Sequence, residues 1–95
     1  MAIPIAVAAG TADVLAYTGA GVLFGWSARE TVGTATAAIS VRDGITVAGP
    51  IIAEVGLVAG GMSLGVGVGV TFQAGLFVDR SLTGTSAIVL YVSED

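Results

Sequence analysis

The chain contains no cysteine, no histidine and no lysine, and only 11% of its 95 residues are charged. Without cysteine, neither disulfides nor thiolate metal sites supplement the core. With lysine and histidine also missing, carboxylates and hydroxyls are all that remain for acid–base or nucleophilic chemistry. The acids Asp13, Glu30, Asp43, Glu54, Asp79, Glu94 and Asp95 are scattered. Most fall at expected strand ends, turns or the terminus, where carboxylates are solubilising groups more often than a glycosidase pair. The sequence therefore predicts no enzyme and no catalytic residue. Ser93, Glu94 and Asp95 form the one local oxygen cluster and lack the loop spacing that calcium requires. The Gly-Val repeat lacks the strand-to-helix context of a phosphate loop. No metal and no cofactor are expected. Three arginines, Arg29, Arg42 and Arg80, against a net charge of −4 leave no basic patch to neutralise phosphates, so nucleic acid is not expected as a partner.

What is abundant is apolar surface. Hydrophobic residues make up 55% of the chain and the mean hydropathy is +0.97. A single domain over residues 1–95 cannot hide that much alone, so burial in an oligomer, a particle or a membrane is expected. The uncharged segment 55–78 is long enough to span a bilayer as a helix of about 20 residues. Its glycines oppose that, because each disfavours helix by about 1 kcal/mol relative to alanine, and its alternation has period 2 rather than 3.6. No membrane insertion is expected. The first residues carry no positive charge ahead of their apolar run, so the start reads as a mature one rather than a secretory signal.

Turn signals recur at close spacing between short alternating apolar runs, the pattern of an all-β protein. The expectation is a compact β-sandwich, jelly-roll-like, of about seven or eight strands. Alternation puts Phe24, Trp26 and Ala28 on one face and Leu23, Ser27 and Arg29 on the other. It likewise sets Ile51, Ala53, Val55 and Leu57 against Ile52 and Glu54, and Ala37, Ile39 and Val41 against Ser40 and Arg42. Phe72, Ala74, Leu76 and Val78 oppose Phe77 and Asp79, and Ile88, Leu90 and Val92 oppose Val89 and Tyr91. Asp43 and Gly44 read as a tight hairpin turn between arms at 36–42 and from 45 onward. Each arginine stands beside an acid, Arg29 by Glu30, Arg42 by Asp43 and Arg80 by Asp79. Adjacent strand residues point to opposite faces, so these charges are placed to pair across strands or across a subunit boundary.

The second faces are apolar where a monomer would be polar. Leu23, Ile52, Phe77 and Tyr91 lie opposite the expected core side and read as contacts with another chain; the alternative is a sandwich or barrel with strands buried on both sides. The stretch 63–70, SLGVGVGV, puts Leu64, Val66, Val68 and Val70 toward the core and leaves Gly65, Gly67 and Gly69 as a bare face. A partner surface approaching that face is one reading, and a glycine-rich loop is the other.

Five local motifs span residues 21–92. They are a Gly-x-Ser-x-Arg-Glu-Thr strand end (Gly25, Ser27, Arg29, Glu30, Thr31), a Gly-Thr-Ala turn at 33–35, Arg-Asp-Gly at 42–44, Gly-Pro-Ile at 49–51 and Gly-Leu-x-Val at 75–78. With them the chain resembles small β-sandwich virion proteins, of the head decoration or cement type, from tailed phages of actinobacteria. That resemblance implies a structural virion protein on the outer surface of the capsid, with the major capsid protein and copies of itself, as a homotrimer, for partners. The alternative is a tail or fibre module that grips host glycans, or another small tail assembly protein.

Overall fold

The computed structural model describes residues 3–65 and 69–94. They form nine strands: β1 (Ile3–Gly10), β2 (Val14–Thr18), β3 (Gly21–Glu30), β4 (Ala37–Asp43), β5 (Ile51–Leu57), β6 (Met62–Gly65), β7 (Val70–Phe72), β8 (Gly75–Ser81) and β9 (Ser86–Glu94). All pairs are antiparallel. Sheet A runs β1-β9-β3, with β6 and β7 sharing the far side of β3; sheet B runs β2-β8-β4-β5. Taking β6 and β7 as the two halves of one edge strand, successive strands exchange between two four-position sheets in the order of a jelly roll. Counted in that way, the nine described strands occupy eight positions, within the expected seven or eight. No described helix is long and apolar enough to cross a membrane.

The core lies between the sheets and draws equally on both. Val7, Leu23, Ala28, Phe72, Ile88, Leu90 and Val92 come from sheet A, and Ala37, Ile39, Val41, Val55, Leu57, Leu76 and Val78 from sheet B; each is at most 5% exposed. Full burial of a side chain of valine to phenylalanine size contributes roughly 1.5–3 kcal/mol. In β4, β8 and β9 the inward set is the one that alternation predicts. Tyr17 packs edge-on against Phe72, with ring centroids 5.7 Å apart.

Two β-bulges reverse the expected faces elsewhere. Leu23 pairs with Val92 and Gly25 with Tyr91, so Phe24 is an extra residue. Before the bulge, Leu23 therefore turns inward, at 1% exposure, and Phe24 is 41% exposed. In the same way Val41 pairs with Ala53 and Arg42 with Ile51, which makes Ile52 the extra residue. Ile51 is exposed and Ile52 packs against the core. Both bulges bend their strands and change which side chains face out.

Strands β4 and β5 form the expected antiparallel hairpin, but the tight turn expected at Asp43 and Gly44 does not close it. Strands β4 and β5 are joined by residues 44–50, and Gly44 is not among the glycines with positive φ. The reason is competition from the neighbouring connection. The Asp43 carboxylate accepts the backbone N–H groups of Gln73 and Ala74 at 3.0 Å, and the Gly44 N–H donates to the Gly75 carbonyl. The pair caps the β7–β8 turn instead of closing its own.

Candidate interaction surfaces

Most described charges are spent on holding the backbone. Glu30, 3% exposed at the end of β3, accepts N–H groups from Val32, Gly33, Gly60 and Thr85 at 2.6–3.2 Å. One carboxylate thus joins the β3–β4, β5–β6 and β8–β9 connections. The Gly60 amide foremost, with those of Val32, Gly33 and Thr85, holds its pKa below the ordinary value against the opposing effect of desolvation. Arg80, on β8, donates to the carbonyls of Ala8, Ala12 and Ser86 at 2.6–2.8 Å. It reaches from sheet B to β1 and β9 of sheet A. Burial draws its pKa down, and Asp13 partly restores it. Arg42 pairs with Asp79 at 3.1 Å across β4 and β8 on the outer side of sheet B, the cross-strand pairing that alternation favours for these charges. Glu30 and Asp43 are therefore not free solubilising acids. The signal for Glu30 was a glycine three residues on, at Gly33, whose N–H a carboxylate at a strand end can reach. No group of three or more metal-ligating side chains occurs among the described residues.

The seven residues singled out for contact do not form one surface. Leu23, Ile52 and Gly65 come together at one seam of the sandwich, where β5 of sheet B faces β3, β6 and β7 of sheet A. Leu23 forms part of the core wall there, which corrects its placement on an outer face. Tyr91 is 36% exposed on the outer side of sheet A. Phe77 lies between inward-facing Leu76 and Val78, so it is on the outer side of sheet B. Gly67 lies outside the described residues.

The bare side of Gly65 is covered within the chain. Gly65 pairs with Trp26, and a Cβ there would stand 2.5 Å from the indole ring. Glycine is needed because the ring lies flat across the neighbouring backbone. The glycine thus faces inward and Leu64 outward, at 71% exposure, the reverse of the expected arrangement. Beyond 66–68 the phase has changed, since Val70 pairs with inward Leu23 and Gly69 lies beside Val22 and Phe24.

The seam holds an apolar cleft of about 230 Å³, lined by Phe24, Trp26, Ile52, Ala53, Gly65 and Val70 with Leu23 and Gly25. No lining residue is ionisable. The indole Nε1 of Trp26, in the cleft wall, is buried without a hydrogen-bond partner. Among the described residues β5 pairs only with β4, and β6 and β7 only with β3, so the cleft is flanked by strand edges without a described partner. Phe24, Trp26 and Val70 were not read as contact residues from the sequence, because only the bulge and the strand order bring them together. No protein family matches this chain, and no curated protein or solved structure matches it.

Proposed function

We propose that this protein is a structural, non-catalytic virion component, a cement protein that attaches to the outer surface of a capsid through its open seam. The observation that carries the reading is the uncharged cleft between β5 and β6/β7, bordered by strand edges without a described partner. Exposed edges and apolar clefts are where an extended segment of another chain adds as a strand and inserts its side chains. The resemblance carried by residues 21–92 supplies the partner class, the major capsid protein. Attachment of this kind resists outward pressure from packaged DNA by bridging neighbouring shell subunits. The homotrimer suggested by the resemblance is part of the same proposal: Tyr91 and Phe77 occupy opposite outer faces, and heterologous contacts around a ring use two different patches of each chain.

The test is co-sedimentation with capsids that lack the protein. Phe24 is half exposed at the cleft mouth, so Phe24→Asp is expected to leave the melting temperature within a few degrees of wild type and to lower capsid binding at least about tenfold. Binding equal to wild type would remove the seam from the proposal. Absence of wild-type binding to capsids, with binding to purified tails, would replace the cement role by the tail role.

A further inference from the structure

After the backbone clamps and the Arg42–Asp79 pair are accounted for, two described charged side chains have no ion pair or hydrogen bond within the chain: Arg29 and Glu54. They have opposite signs and lie on opposite outer faces. Arg29 sits between inward-facing Ala28 and Glu30 on β3, so it projects from sheet A, with Ala87 and Met62 as cross-strand neighbours. Around it is a shallow hollow of about 240 Å³ made by small and apolar side chains, among them Ala6, Ser27 and Val89. Glu54 precedes inward-facing Val55 on β5 and projects from sheet B opposite Ser40. Across a sandwich whose sheets pack about 10 Å apart, two residues pointing away from each other cannot meet in one chain.

We infer that copies of this chain associate head to tail, the outer face of sheet A on one copy against the outer face of sheet B on the next, with Arg29 of the first pairing with Glu54 of the second. Charge complementarity selects the occupant. On the outer face of sheet A the apolar field around Arg29 holds no acid for it. On the outer face of sheet B, Arg42 is already engaged with Asp79 and with the Gly49 carbonyl, which leaves no cation for Glu54. Each face therefore carries the counter-charge that the other lacks. The contact takes up Tyr91, Met62 and Leu64 from one face and Phe77, Leu15 and Ile51 from the other. Partial removal of water from the pair on docking strengthens it beyond an exposed surface pair. A heterologous contact of this kind closes into a ring or continues as a stack according to the rotation between copies. It rests on the self-association through Tyr91 and Phe77 proposed above and does not use the seam, so it stands or falls separately from attachment to a capsid.

Charge reversal tests it by sedimentation equilibrium. Arg29→Glu takes the net charge from −4 to −6 and Glu54→Arg takes it from −4 to −2. General repulsion therefore predicts opposite effects for the two variants, and the proposed pair predicts the same one. Each is expected to raise the dissociation constant at least about tenfold by setting like charges together. In an equimolar mixture each contact between unlike variants joins Arg to Glu, so the two variants are expected to associate with each other at about the wild-type affinity, as alternating copies that cannot close a ring of three. Both positions are exposed, and neutral Arg29→Gln and Glu54→Gln provide a second pair should a reversal unfold the chain. Wild type that stays monomeric at about 1 mM, Glu54→Arg that associates as tightly as wild type, or a mixture that stays monomeric would each overturn the inference.

Discussion

Between β1 and β2 the two sheets are bridged by Arg80, whose guanidinium crosses from β8 to carbonyls of Ala8 and Ser86 and of Ala12 in the connecting corner. Between β5 and β6, Glu30 accepts the N–H of Gly60 at one end, and the stretch lined by Trp26, Ile52 and Val70 is the apolar cleft. One seam is thus closed by a cation that stays charged at any ordinary pH, and the other by a carboxylate that titrates. An arginine offers five donors in a rigid fork and satisfies several carbonyls at once. A carboxylate can only accept, so it gathers loops around itself and leaves the space between the sheets unfilled.

The largest expected effect breaks the closed seam. Arg80→Met keeps the apolar stem but leaves three carbonyls without their donor, at a cost of about 3 kcal/mol. In a domain of this size that corresponds to a fall in melting temperature of roughly 10–20 °C. A loss smaller than that of any substitution at the open seam would reverse the ranking of the two.

A smaller effect is expected at the open seam from Gly65→Val. The new side chain occupies the indole's place and must push Trp26 aside, which costs about 2 kcal/mol. Trp26 fluorescence should shift as the ring moves into the cleft or toward water. A variant with unchanged emission and unchanged stability would show that the cleft already has room for both groups.

Acidification sharpens the contrast by acting on one seam first. The folded-state pKa of Glu30 lies below its ordinary value of 4.5. Its stabilisation is therefore complete above that value and is lost as pH falls through the depressed folded value. Protection of the Val32, Gly33, Gly60 and Thr85 amides, relative to their intrinsic exchange rates at each pH, is expected to fall over that range, while the guanidinium bridge at Ala8 and Ser86 keeps its charge. Glu30→Gln should show fast exchange at these amides even at neutral pH and lose this part of the acid response. Equal loss of protection at both seams would mean that Glu30 is not what distinguishes them.

Much of the architecture was legible in the sequence, and the errors share one cause. Ile39, Val41, Leu76, Val78, Ile88, Leu90 and Val92 face inward as their alternation requires, because a strand paired without interruption keeps period 2 from end to end. Leu23 and Ile52 were reversed because a bulge adds one residue by pairing in another strand, and nothing in the local sequence marks which residue is extra. Asp43 and Gly44 are a tight-turn signal in isolation, and a competing set of amides at Gln73 and Ala74 overrode it.

The sequence by itself determined an all-β sandwich and an excess of apolar residues, because composition and period are properties of single segments. The tertiary structure alone decided that Gly65 lies under Trp26, that Glu30 gathers three connections, and that Phe77 and Tyr91 point in opposite directions. Each of these depends on which strand comes to lie beside which. In a chain whose neighbours in space are mostly distant in sequence, that information resides in the pairing and not in the segment.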